Sequence, residues 1–104
     1  MSKSMRRSRR IGSIVAITLI AASPARACWE LAAQRYGVSS ELLYAIARTE
    51  SGLDPQAIGR NRNGSRDIGL MQINSAWLPR LSIHGIAERD LFDPCTSIHV
   101  GAWI

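Results

Sequence analysis

Two carboxylic acids, Glu50 and Asp67, sit where the surrounding residue types could turn an acid to chemical use. Glu50 follows Leu42, Leu43, Ile46 and Ala47, apolar residues that recur at helical spacing, and it continues their stripe. A carboxyl on such a stripe is desolvated, and at a helix C-terminus it also meets the negative end of the dipole; both favour the protonated form. A protonated carboxyl can give its proton to a leaving group, as in acid-catalysed cleavage of a glycosidic bond. Two other outcomes stay open for Glu50: turning to water at a frayed last turn, or pairing with Arg48 or another arginine. Asp67 ends the polar run Asn61-Arg62-Asn63-Gly64-Ser65-Arg66, and its alternatives to chemistry are capping that turn or pairing with Arg60 or Arg66. The alternation of Asn61, Asn63, Ser65 and Asp67 has the rhythm of a calcium loop without its terminal bidentate acid, so a turn is expected and no metal.

Elements that would position these acids can be read on either side of them. Cys28 to Tyr36 reads as a short amphipathic helix stopped by Gly37, and Ser40 to Ser51 as a second helix, with Ser39 or Ser40 as N-cap and Gly52 as its stop. Asp54-Pro55 to Asp67 should be loop or a small hairpin turning at Asn63-Gly64. Ile68 to Leu78 reads as a short helix closed by Pro79, and Leu81 to Phe92 as loop with a short helix near Ile86 to Asp90. Asp93-Pro94 then supplies an N-cap and a proline at the first helical position for a helix over Cys95 to Ile104. The sum is one mainly α domain with a small loop or hairpin.

The formal net charge of +5 over 104 residues suggests an acidic partner until the charges are located. Lys3, Arg6, Arg7, Arg9, Arg10 and Arg26 precede Cys28; beyond Ala27 there are seven basic and eight acidic side chains, so no nucleic-acid partner is indicated. Residues 1–27 read as a secretory signal peptide, with a basic start, an apolar run from Ile11 to Ala22 and a small-residue end at Ala25-Arg26-Ala27. The apolar run falls short of the roughly 20 residues of a bilayer span, so no permanent membrane span is expected after cleavage. The remaining domain, 28–104, would be periplasmic or secreted, and Arg26 argues against a lipoprotein signal at Cys28. In an exported domain the two cysteines, Cys28 and Cys95, read as one disulfide, and neither has a His or Cys beside it at zinc-ligand spacing.

Glu50-Ser51, the Asn63-Gly64-Ser65-x-Asp67 turn and Gly69-Leu70-Met71-Gln72-Ile73-Asn74 together resemble the lysozyme-like superfamily. The resemblance is nearest to the soluble lytic transglycosylase (SLT) domain, and within it to small exported enzymes of secretion and conjugation machines. Trp77-Leu78-Pro79, Asp93-Pro94-Cys95 and Val100-Gly101-Ala102-Trp103 fit that subgroup. The resemblance implies a lysozyme-like helical fold and no cofactor. It implies peptidoglycan glycan strands as substrate, and components of a type III or type IV secretion or conjugation apparatus as partners. The family continues to an Ala-Tyr-Asn-Ala-Gly-like motif that does not occur here, so by this resemblance the chain is truncated at its C-terminus.

In that family the acid matching Glu50 protonates the glycosidic oxygen between N-acetylmuramic acid and N-acetylglucosamine. The muramoyl 6-hydroxyl then closes on its own anomeric carbon to give a 1,6-anhydro product. Ser51 would orient the acid or the sugar, and Gly69, Met71 and Gln72 would line the cleft; for Met71 and Leu70 an ordinary core place is the alternative, and Asn74 would brace the loop. The spacing from Glu50 to Asp67 also resembles that of animal-type lysozymes. With the two carboxyls roughly 5–5.5 Å apart, retaining hydrolysis becomes the alternative. A non-catalytic peptidoglycan-binding assembly module is the third reading.

Overall fold

The computed structural model describes residues 24–104, with side chains from Arg26 onward. The basic and apolar parts of the expected secretory signal lie outside the described residues. Helix α1 (Pro24–Tyr36) starts four residues before the expected Cys28 and ends where Gly37 takes a positive φ, with the Val38 N–H donating to Ala33 O at 3.1 Å. Helix α2 (Ser40–Ser51) has the expected ends: the Ser39 hydroxyl accepts from the Leu42 N–H, and Gly52 returns its N–H to the last turn. Glu41 sits in the first turn, where its own backbone N–H and then the Ser39 and Ser40 hydroxyls hold its carboxyl below the usual range.

Three short antiparallel strands follow in the order β1 (Ile58–Arg60), β2 (Arg66–Ile68) and β3 (Ile73–Asn74). The β1–β2 hairpin turns at Asn63-Gly64 as expected, with the Asn63 carboxamide oxygen accepting from the Ser65 N–H and hydroxyl. Register divides the sheet into two faces, because side chains directly opposite one another share a face. One face carries Ile58, Ile68 and Ile73, of which Ile68 and Ile73 are buried; the other carries Gly59, Asp67 and Asn74.

The expected helix over Ile68 to Leu78 is not formed. Gly69 and Gln72 both adopt positive φ, which breaks any right-handed helix, and the chain instead turns from β2 into β3. A 3-10 turn over Ser75–Trp77 leads into α3 (Leu78–Ile83), and Pro79 opens α3 rather than closing the preceding segment. Proline lacks only an N–H that the first helical turn leaves unpaired, so it belongs there as well as at a stop. A 3-10 segment at Glu88–Phe92 stands near the expected short helix, and α4 (Pro94–Trp103) starts with Asp93 accepting from the Thr96 N–H, as expected.

Between α1, α2, α4 and the apolar sheet face lies one core that includes Ala32, Leu43, Ala47, Ile68, Leu70, Met71, Ile73, Leu81, Leu91 and Ile98. The Cys28–Cys95 disulfide ties α1 to the start of α4. Among the described residues no helix is long and apolar enough to cross a membrane.

Candidate active site

The acid-bearing end of α2 is joined to the Gly69–Asn74 segment by one side chain. The Ser51 hydroxyl donates to Leu70 O at 2.6 Å, lies 3.0 Å from Ala47 O, and accepts from the Asp54 N–H. A hydroxyl has a single proton, and the shorter distance assigns it to Leu70. Ser51 therefore locks the helix terminus against the turn, and Glu50, its neighbour, is carried on a braced backbone.

Glu50 itself is exposed, which corrects the expectation of a desolvated acid. The inward line of α2 runs through the buried Leu43 and Ala47 to the half-buried Ser51 at steps of four, while Leu42 and Ile46 are exposed. Each helical residue turns about 100°, so Glu50 stands at the rim of that line instead of beneath it.

The Gly69–Gln72 turn is bound on every side. Gly69 donates to Ala57 O at 2.8 Å, the Met71 N–H donates to the fully buried Ser97 hydroxyl at 3.0 Å, and the Gln72 N–H donates to Gly69 O. Gly69 has φ +78°, and a Cβ there would lie 2.2 Å from Leu91 O, so no other residue fits. Met71 is buried against Gly101, where a Cβ would come within 3.1 Å of the methionine side chain. The Gln72 carboxamide nitrogen donates to Ala57 O and Gly69 O. Of the three residues expected to line a cleft, Gly69 and Met71 are buried and Gln72 is half-buried with its amide N–H groups turned inward.

Asp67 lies on the polar face of the sheet between its partners Gly59 and Asn74. Its Oδ2 accepts from Asn61 Nδ2 at 3.1 Å and its Oδ1 from Asn74 Nδ2 at 2.9 Å. The same two amides donate to the Ser65 hydroxyl, and Asn74 Oδ1 accepts from the Ala76 N–H, which fixes the amide's orientation. Arg66 pairs with Glu88 and not with Asp67, so the aspartate is held by neutral donors. Sequence reading missed Asn61 as a partner of Asp67 and missed Ser97 altogether. Asn61 lies in the alternating Asn/Ser/Asp run that reads as a turn, while a serine inside an apolar helix carries no signal of its own.

A groove of about 620 Å³ lies elsewhere, lined in part by Tyr36, Leu81, Ile86, Val100 and Trp103. Ser97 and Gly101 of α4 face Met71 while Thr96, His99 and Trp103 face this groove, so it opens on the other side of that helix from the turn. None of Glu50, Ser51, Asp67, Gly69, Met71 and Gln72 lines it. Among the described residues no group of three or more His, Cys, Asp or Glu side chains could hold a metal ion.

The family model described as Transglycosylase SLT domain matches residues 27–104. Invasion protein IagB of Salmonella typhimurium is 52% identical over 93 residues, covering 88% of this chain and 58% of that protein. Protein IpgF of Shigella flexneri is 46% identical over 76 residues, covering 72% and 50%. A peptidoglycan-binding-like protein of Escherichia coli O157:H7 is 42% identical over 86 residues, covering 75% and 52%. The chain thus spans between about half and three-fifths of the length of these relatives. With its helical lysozyme-like fold and with the family match over most of its length, the chain belongs to the transglycosylase SLT domain family.

Proposed function

We propose that this chain is an exported peptidoglycan lytic transglycosylase that uses Glu50 as its single acid and base. The observation that supports the reading is the Ser51–Leu70 hydrogen bond, which ties the end of α2 that carries Glu50 to the Gly69–Asn74 turn in an SLT-family domain. Glu50 gives its proton to the glycosidic oxygen of the N-acetylmuramic acid to N-acetylglucosamine bond, and the anomeric carbon–oxygen bond breaks. The carboxylate then takes the proton of the muramoyl 6-hydroxyl as that oxygen bonds to the anomeric carbon, so no water is consumed. An intramolecular nucleophile with an effective molarity of ~10⁵ M or more makes a second catalytic carboxylate unnecessary. Since Glu50 is exposed in the free chain, the glycan that covers it supplies the exclusion of water. The family resemblance supports a periplasmic cleavage that opens the wall locally for a secretion or conjugation apparatus.

Purified sacculi incubated with the chain should release 1,6-anhydromuropeptides, and Glu50→Gln should release none. Equal yields from the two proteins would remove the proposal. Hydrolysis is the second reading, favoured by the way Asn61 and Asn74 hold the Asp67 carboxylate without an ion pair. It requires products with reducing ends and their loss in Asp67→Asn.

A further inference from the structure

Helices α1 and α2 enclose between their outer flanks a pocket of about 430 Å³ that shares no lining residue with the groove beside α4. At about 100° per residue, Tyr44 and Arg48 turn to one side of the Leu43–Ala47 line of α2 and Glu50 to the other, so the pocket opens away from the acid. Trp29 of α1 meets Tyr44 edge to face there, with ring centroids 5.4 Å apart and planes at 68°. Tyr44 is 42% exposed and Trp29 half-buried, so this aromatic wall can be reached from solvent.

Charges of both signs surround the wall, Arg26 and Arg48 against Glu30 and Glu41. Across one pocket such groups commonly pair with each other, yet neither Glu30 nor Arg48 makes an ion pair among the described residues. Glu41 stays a carboxylate at neutral pH, because its own backbone N–H and then the Ser39 and Ser40 hydroxyls bond the charged form. The pocket thus holds separated positive and negative groups about an aromatic wall. A neutral sugar would answer neither charge, and a polyanion would meet Glu30 and Glu41. The complementary ligand carries carboxylate and ammonium together on an aliphatic frame.

We propose, on the reading that the chain acts on peptidoglycan, that this pocket binds the peptide stems of the wall. Arg48 takes a stem carboxylate, Glu30 and Glu41 take a free stem ammonium, and the aliphatic part of the peptide lies against Trp29 and Tyr44. The pocket adds a hold on the peptide to the hold on the glycan. Since it opens away from Glu50, it governs attachment to the wall and not the chemical step.

Titration of the chain with the free tripeptide L-alanyl-γ-D-glutamyl-meso-diaminopimelate should shift the Trp29 indole N–H and the Arg48 Nε–H signals in NMR spectra, with a dissociation constant on the order of 1 mM. A peptide-free N-acetylglucosamine oligomer should leave both signals in place. Arg48→Ala removes an exposed side chain that makes no ion pair in the fold, and it should weaken tripeptide binding about threefold, the scale of one exposed ion pair, while Arg48→Lys should keep most of it. A tripeptide titration that leaves the two signals still overturns the proposal, as does an oligomer that moves them by itself, or wild-type affinity in Arg48→Ala. Absence of anhydro products from wild-type digestion of sacculi defeats the proposed reaction instead, and the tripeptide titration still decides the pocket.

Discussion

Gly69 shows how little freedom single residues have around the acid. Its φ of +78° belongs to the left-handed region, and the Leu91 carbonyl occupies the place of a Cβ at 2.2 Å. An alanine there has to move backbone and not a flexible side-chain end, because the obstructing atom is a main-chain oxygen. Gly69→Ala should cost at least about 2 kcal/mol, combining left-handed strain with overpacking. Chemical denaturation would measure it, and a loss under 0.5 kcal/mol would show that the turn relaxes freely. In sequence this glycine read as a cleft residue within a motif; the need for glycine at this position became visible only with Leu91 packed against it.

Among the elements, the helix ends were the most legible, because caps act over a few neighbouring residues. Ser39, Gly52 and the Asp93-Pro94 pair all stand where local chemistry puts them. Asp93 accepts from both the Thr96 N–H and its hydroxyl, so Asp93→Ala should destabilise the domain by about 1 kcal/mol. A shift of the denaturant midpoint at constant slope would report it, and no shift would mean that the proline alone holds the start of α4. The segment from Ile68 to Leu78 misled for the opposite reason. Its apolar residues fit helical spacing, but Ile68 and Ile73 serve a sheet face, Leu70 and Met71 serve the core, and the turn between them depends on bonds to Ala57 and Ser97 that lie far off in sequence. Periodicity cannot separate these uses over so short a run.

At the scale of the molecule, the disulfide joins residues 67 apart, connecting α1 to the helix that anchors Met71. Closing a loop of that length restricts the unfolded chain, and its removal in Cys28→Ala/Cys95→Ala should cost about 4 kcal/mol on the chain-entropy account. Thermal melts with and without reductant would measure this, and coincident curves would refute it. A domain this small has little other reserve, so the bridge bears on whether α2 and the Gly69 turn stay in register. Ile83, Trp103 and Ile104 are exposed, and Trp103 lines the 620 Å³ groove.

The amino-acid sequence by itself determined the mainly helical fold class, the caps that bound α2 and α4, the cysteine pair and the turn at Asn63-Gly64. Each of these rests on short-range chemistry or on composition. Tertiary structure alone decided that Glu50 stands at the rim of its helix while Ser51 faces inward, and that Asp67 is held by Asn61 and Asn74. Such outcomes depend on rotation about a helix axis and on strand register. Both are set by which distant residues the core brings together, and local spacing does not encode them.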